Sequence, residues 1–220
     1  MADPPAHART DVMEVIGADR LVPVIVLEDA AAAAPLADAL VAGGLRCAEV
    51  TFRTAAAEAA LAAMARDRRL LVGAGTVVRP EQVDRALAAG ARFIVSPGFS
   101  AAVVRRCREV GLPVIPGVAT ATEIQAAVQE GLSVLKFFPA EAMGGLATLA
   151  ALAAPFPDLR FVPTGGVNAG NLGAYLAHRS VLAVGGSWMV APKLISAGEW
   201  DEITKLTAEA VALAAASRPQ

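Results

Sequence analysis

The chain has 220 residues and a mass of 22.4 kDa, enough for one domain with a core of ordinary size. Its 55% hydrophobic content and mean hydropathy of +0.53 exclude a disordered chain, and a formal charge of −2 gives no electrostatic basis for binding nucleic acid. Alanine supplies much of that hydropathy, no apolar run reaches the roughly 20 residues a bilayer span needs, and the opening MADPPAHARTD lacks the apolar region of a secretory signal. A cytoplasmic protein with no membrane contact is expected, its Cys47 and Cys107 buried and reduced.

A short helix is predicted from Thr10 to Gly17, ahead of the first strand. Eight apolar runs follow: LVPVIVL from Leu21, CAEVTF from Cys47, LLVGAGT from Leu70, FIVSPG from Phe93, PVIPGV from Pro113, VLKFFPA from Val134, RFVPTGGV from Arg160 and VLAVGGSWMV from Val181. Each is short, mostly β-branched or aromatic, and bounded by Gly or Pro, which is a strand signal. Stretches between them, such as AAAPLADALVAGG, RPEQVDRALAAGA and TATEIQAAVQEG, have helical spacing and a glycine suited to a C-cap. Strands alternating with helices pair in parallel through right-handed crossovers. Eight such units of about 27 residues predict a single (β/α)8 TIM barrel over residues 1–220, its floor capped by the Thr10–Gly17 helix. An open doubly wound sheet is the alternative, weakened because no GxGxxG follows the first strand. The closing SRPQ reads as a frayed tail.

In such a barrel the chemistry sits at the C-terminal ends of the strands, and alternation along each strand tells which side chains face inward. Of the three lysines, Lys193 and Lys205 lie on polar ground, whereas Lys136 sits mid-strand beside Leu135, Phe137 and Phe138. Removing an ammonium from water is costly, and an amine that sheds its proton on burial attacks ketones to give a Schiff base. Lys136 is therefore either that nucleophile, or a snorkelling or structurally neutralised lysine. In CAEVTFRT, Cys47, Glu49, Thr51 and Arg53 share one parity and Ala48, Val50 and Phe52 the other, which turns Glu49, Thr51 and Arg53 toward the interior or its mouth. Glu49 is either an ion-pair partner of Arg53 or Lys136, or the proton shuttle that imine chemistry requires. Arg53, at the tip, suits a carboxylate held by two prongs.

The seventh and eighth runs end in PTGGV and VGGSW, where Gly-Gly after the strand lets backbone N–H groups approach an anion at the usual phosphate position of this fold. Thr76 of GAGT and Pro97 of SPG stand at the rim, where ordinary turn chemistry also explains them. Arg20, just before the first strand, is a further candidate to assist the phosphate. No His/Asp/Glu cluster has metal spacing, and His7 and His178 fall in the N-terminal tail and on a late helix, so no metal is expected. A phosphosugar isomerase or epimerase on the same barrel would use the phosphate loops but leave Lys136 without a task. A non-catalytic phosphometabolite-binding barrel would leave both Lys136 and Glu49 without one.

The blocks VPVIV, LVAGGLRCAEVTFRT, VGAGTV, FIVSPG, LKFFPAE, PTGGV and GGSWMV, in this order between Val22 and Ala210, resemble those of the bacterial 2-keto-3-deoxy-6-phosphogluconate (KDPG) and 4-hydroxy-2-oxoglutarate (KHG) aldolases. The resemblance implies a class I Schiff-base aldolase on a (β/α)8 barrel, usually homotrimeric, without metal or cofactor, acting in the Entner–Doudoroff pathway. It implies that Lys136 forms the imine, Glu49 is the general acid/base and Arg53 holds the pyruvate carboxylate. Thr76, Pro97 and Phe138 would line the pyruvate pocket and Thr164 would face the sugar end, while Gly165, Gly166, Gly185, Gly186 and Ser187 would bind phosphate. The partner expected is a phosphorylated 2-keto acid, with the galactonate analogue of KDPG as an alternative substrate. Departures at Phe52, Leu135, Met143 and Val167 fall on apolar or loop positions.

Overall fold

The computed structural model describes residues 12–217, so the MADPPAHARTD opening, including Thr10 and His7, and the last three residues of the SRPQ tail lie outside the described residues. The first helix, α1, runs Val12–Asp19 and leads into β1 (Leu21–Ile25), α2 (Ala33–Ala42), β2 (Cys47–Thr51), α3 (Ala57–Met64) and β3 (Leu71–Gly75). The middle of the chain forms α4 (Pro80–Ala88), β4 (Ile94–Val95), α5 (Ala101–Glu109), β5 (Val114–Ile115), β6 (Gly117–Val118) and α6 (Ala121–Gln129). β7 (Val134–Phe137), α7 (Gly145–Ala153), β8 (Arg160–Pro163), α8 (Leu172–Ala177), β9 (Val184–Gly186), α9 (Pro192–Ala197) and α10 (Trp200–Ala216) complete it. None of these helices is long and apolar enough to cross a membrane.

The expected α/β alternation is present, and each strand pair is parallel. The strands form a curled six-stranded sheet in the order β5-β4-β3-β2-β1-β9 and a three-stranded sheet β6-β7-β8. PVIPGV, expected as one strand, is two, because Pro116 has no N–H with which to continue the ladder and offers only its carbonyl, which accepts from Lys136 N at 2.9 Å. The last run pairs over a shorter length than expected. Val181 and Gly185 make isolated bridges to Phe161 and Thr164, and the SWMV end turns into a 3-10 helix at Trp188–Val190.

Local sequence explains the helix ends. Thr120 and Glu123 exchange a capping box at the start of α6, and the Ser100 hydroxyl accepts from Val103 N at the start of α5. Gly44, Gly90 and Gly131 follow α2, α4 and α6 with φ of +94°, +94° and +74°, as their C-cap role requires.

Strand alternation sorts the apolar residues into two layers. Ala48, Val50, Ala74, Ile94, Leu135, Phe137 and Phe161 pack outward against the helices. Val22, Cys47, Phe93, Val95, Ile115, Val162 and Ala183 pack against one another on the inner side, where Val12 and Ile16 of α1 join them from below. The first helix thus seals the N-terminal ends of the strands with apolar surface. Both cysteines are free and buried, and burial pushes their thiols up, that of Cys107 to about 12.

Candidate active site

The inner positions change character along each strand. Two residues beyond inner Cys47 comes Glu49, two beyond Val162 comes Thr164, and two beyond Ala183 comes Gly185. Lys136 occupies the equivalent place after Val134, which packs on the same inner cluster. A polar layer therefore rests on the apolar plug, at the C-terminal ends of the strands. Glu49 and Lys136 are 3% and 4% exposed, and their side chains meet with Nζ 3.4 Å from Oε1. Nζ also lies 5.2 Å from the centroid of the Phe138 ring. A buried cation and a buried anion are tolerable here because each answers the other.

β3 makes the room. In the ladder Thr51 pairs with Gly75, and a Cβ on Gly75 would stand 2.1 Å from Glu49 Oε1. Any larger residue would drive the carboxylate off its position. At the end of β2, Thr51 donates its hydroxyl to Ile25 O at 2.8 Å, and the chain then turns so that Arg53 Nε donates to Thr76 Oγ1 at 3.1 Å. Thr76 holds that hydroxyl with φ +59°, a left-handed conformation that is uncommon for a β-branched residue and is found where the surroundings enforce it. Among the described residues, Arg53 has no carboxylate partner.

These groups open into a cavity of about 230 Å3. Arg53, Lys136, Phe138, Thr164, Gly165, Gly166, Gly185, Gly186 and Ser187 all line it. Glu49 lies behind Lys136, and Thr76 is reached through Arg53. Pro97 is set back from the wall, its carbonyl packed against Gly117, which pairs with Lys136. Arg20 is elsewhere: its guanidinium donates to the carbonyls of Leu176, Ala214 and Ser217, beneath the N-terminal end of β1. Preceding a strand, it belongs to the end opposite the cavity, so a role with phosphate there is ruled out by the strand's length and direction. Val24, Val26, Val167, Val190 and Pro192 also line the cavity without having been expected. The alternation of LVPVIVL was enough to find Val24, but an apolar residue carries no chemical flag.

At the far end of the cavity Gly165 and Gly166 have φ of +98° and +83°. Consecutive left-handed glycines turn successive peptide N–H groups into a concavity suited to an anion. The site thus combines a buried amine, a carboxylate that reaches it, a guanidinium bonded to a hydroxyl, and a glycine turn with left-handed backbone.

The family model for KDPG and KHG aldolase matches residues 12–206. The 2-dehydro-3-deoxy-phosphogluconate aldolase of Treponema pallidum is 51% identical over 197 residues, covering 89% of this chain and 94% of the relative. Two crystal structures superpose with TM-scores of 0.87 at 41% identity. One is the 2-keto-3-deoxy-6-phosphogluconate aldolase of Zymomonas mobilis with 3-phosphoglycerate, covering 94% of this chain and 97% of that one. The other is the KDPG aldolase of Legionella pneumophila with pyruvate captured as a covalent carbinolamine, covering 91% and 98%.

Proposed function

The chain belongs to the KDPG and KHG aldolase family and is a carbon–carbon lyase of the Schiff-base class, and on that premise we propose how its residues divide the reaction. The substrate is 2-keto-3-deoxy-6-phosphogluconate, cleaved to pyruvate and glyceraldehyde 3-phosphate, with 4-hydroxy-2-oxoglutarate, cleaved to pyruvate and glyoxylate, as the shorter alternative. Lys136, with its proton passed to Glu49, attacks the C2 ketone. Glu49 returns protons to the carbinolamine oxygen, which leaves as water and yields the protonated imine. That cation draws the C3–C4 bonding electrons toward itself while Glu49 takes the C4 hydroxyl proton, directly or through a water. The aldehyde leaves, the enamine takes a proton at C3, and hydrolysis releases pyruvate and restores the amine.

Arg53 binds the substrate carboxylate, steadied by Thr76. Phe138 closes over the pyruvate carbons, with Pro97 behind. Thr164 meets the hydroxyls of the departing half, and Gly165, Gly166, Gly185, Gly186 and Ser187 take the phosphate. The observation that carries this reading is the buried approach of Lys136 to Glu49 at 3.4 Å, beside an arginine without a carboxylate partner among the described residues.

The same reading takes residues 1–220 as one domain and the two sheets as one closed (β/α)8 ring. Counting β5 and β6 as a single strand interrupted at Pro116, and β8 and β9 as joined by their two bridges, supports closure. A homotrimer in the cytoplasm completes the proposal.

Borohydride reduction in the presence of pyruvate, followed by intact mass and peptide mapping, tests it. One irreversible pyruvate adduct on Lys136, and no adduct or cleavage in Lys136→Ala, are expected. A folded protein that forms no adduct would overturn the scheme and favour an isomerase using the same phosphate turns.

A further inference from the structure

The Thr164–Gly165–Gly166 turn is gripped from its outer side by residues that the catalytic scheme does not use. Ala140 N donates to Thr164 O at 2.8 Å and Glu141 N donates to Gly165 O at 3.0 Å. The side-chain amides of Asn168 and Asn171 donate to Gly166 O at 3.2 and 3.4 Å, and Asn168 N donates to Asn171 Oδ1 at 2.8 Å. Every carbonyl of the turn is thus held on one side. In a planar trans peptide the N–H points away from its carbonyl, so the N–H groups of Gly166 and Val167 are presented to the other side, the cavity that these residues line. The N–H groups of Gly166 and Val167 donate to no protein acceptor among the described residues, and that of Gly165 faces Gly185 across the bridge between Thr164 and Gly185.

The Glu141 side chain sits directly under this turn, since a Cβ on Gly166 would lie 2.6 Å from its Cβ and Cγ. It is fixed there by Tyr175, the one tyrosine of the chain, 1% exposed on α8, whose hydroxyl donates to Glu141 Oε1. Burial first, and then the bond to Glu141, push that phenol well above its ordinary range, so it remains a donor at any working pH. That bond directs the Glu141 carboxylate toward α8.

We infer that Glu141, Tyr175, Asn168 and Asn171 form a positioning frame that holds the Gly166 and Val167 N–H groups in an anion-binding arrangement, and so set the preference for phosphorylated over unphosphorylated substrate. The inference rests on the reading of this turn as the phosphate end of an aldolase site. It places no frame residue in contact with the reacting carbons.

The test compares kinetic constants for the phosphorylated hexulosonate and for 4-hydroxy-2-oxoglutarate in Tyr175→Phe and Asn171→Ala, alongside the rate of pyruvate trapping. Loss of one buried hydrogen bond should raise KM for the phosphorylated substrate about tenfold. Constants for the unphosphorylated substrate and the trapping rate should stay within about twofold. Glu141→Ala should behave like Tyr175→Phe, and the double variant should be no worse than either, because both remove the same contact. Glu141→Gln, whose amide oxygen still accepts from the phenol, should retain most of the affinity. Equal losses on both substrates, or an unchanged KM for the phosphorylated one, would overturn the inference. Calorimetric titration with inorganic phosphate reads the frame without turnover. Weaker binding in Tyr175→Phe and Asn171→Ala would support the frame even if no pyruvate adduct formed, and unaltered binding in both would refute it.

Discussion

At the N-terminal ends of the strands, Arg46 pairs with Asp19 at 2.5 Å and Arg69 with both Asp67 and Asp38, at 2.6 and 2.5 Å. At the C-terminal ends Arg53 has, among the described residues, the hydroxyl of Thr76 and no carboxylate. The floor also holds the larger hollow, a groove of about 680 Å3 lined by Arg46, Arg68, Arg69 and Arg92, against about 230 Å3 for the cavity above Lys136. Volume and positive charge would both point to the floor. What separates the two is how donors are employed. Floor arginines bind protein carboxylates or face solvent, whereas at the other end a buried amine, a buried carboxylate and an arginine that has no carboxylate partner among the described residues converge. A site is recognised by polar groups left for a ligand, and a structural end by groups that already answer one another.

The contrast can be broken from either side. The largest effect is expected for Glu49→Gln, which keeps the shape but removes the proton acceptor; kcat for cleavage should fall by about two decades or more. A near-normal rate would mean that another group carries the proton. Arg53→Gln should come next, raising KM for pyruvate-yielding substrates about 10- to 100-fold, the value of one charge-assisted contact, with little change in melting temperature. At the floor, Asp19→Asn weakens a bond between a buried carboxylate and an exposed guanidinium. It should cost about 1 kcal/mol and lower Tm by roughly 2–4 °C while leaving KM and kcat unchanged. A shifted KM there would show that the two ends communicate.

The smallest effect is on acid stability. The Arg105 guanidinium, 2.7 Å from Glu130 and aided by Arg108, holds that carboxyl below its ordinary range. A depressed folded-state pKa stabilises above the unfolded value near pH 4.3, and the contribution is lost as pH falls through the folded value. Arg105→Gln should therefore melt slightly lower than the wild type at pH 7 and together with it at pH 2–3, as calorimetry across that range would record.

Much of this site is legible in the sequence. The parity of CAEVTFRT placed Glu49 and Arg53 on the inner face because a strand alternates strictly, and Lys136 stood out because an ammonium among phenylalanines needs a reason. The paired glycines and Ser187 follow from their place just after strands, and Thr164 from the resemblance of PTGGV to the aldolase blocks. Arg20 sits at the opposite end from the cavity, and proximity to a strand in sequence does not say which end of the sheet is near. Glu141, Tyr175, Asn168 and Asn171 gave no warning, since each gains its meaning from a partner on another element or from the outer side of a turn. The split at Pro116 was foreseeable from the missing N–H, but PVIPGV reads as continuous if only hydrophobicity is followed.

Periodicity and turn chemistry act over a few residues, so the α/β alternation, the helix ends, the inward parity of each strand and the residues able to do chemistry follow from local sequence. Which groups meet was decided only by the tertiary structure. Glu49 and Lys136 are 87 positions apart, and Gly75 matters because its missing side chain leaves space for the Glu49 carboxylate. Distances between strands arise from register and packing of the whole core, and a pairing that depends on every strand being in place cannot be written into any one segment.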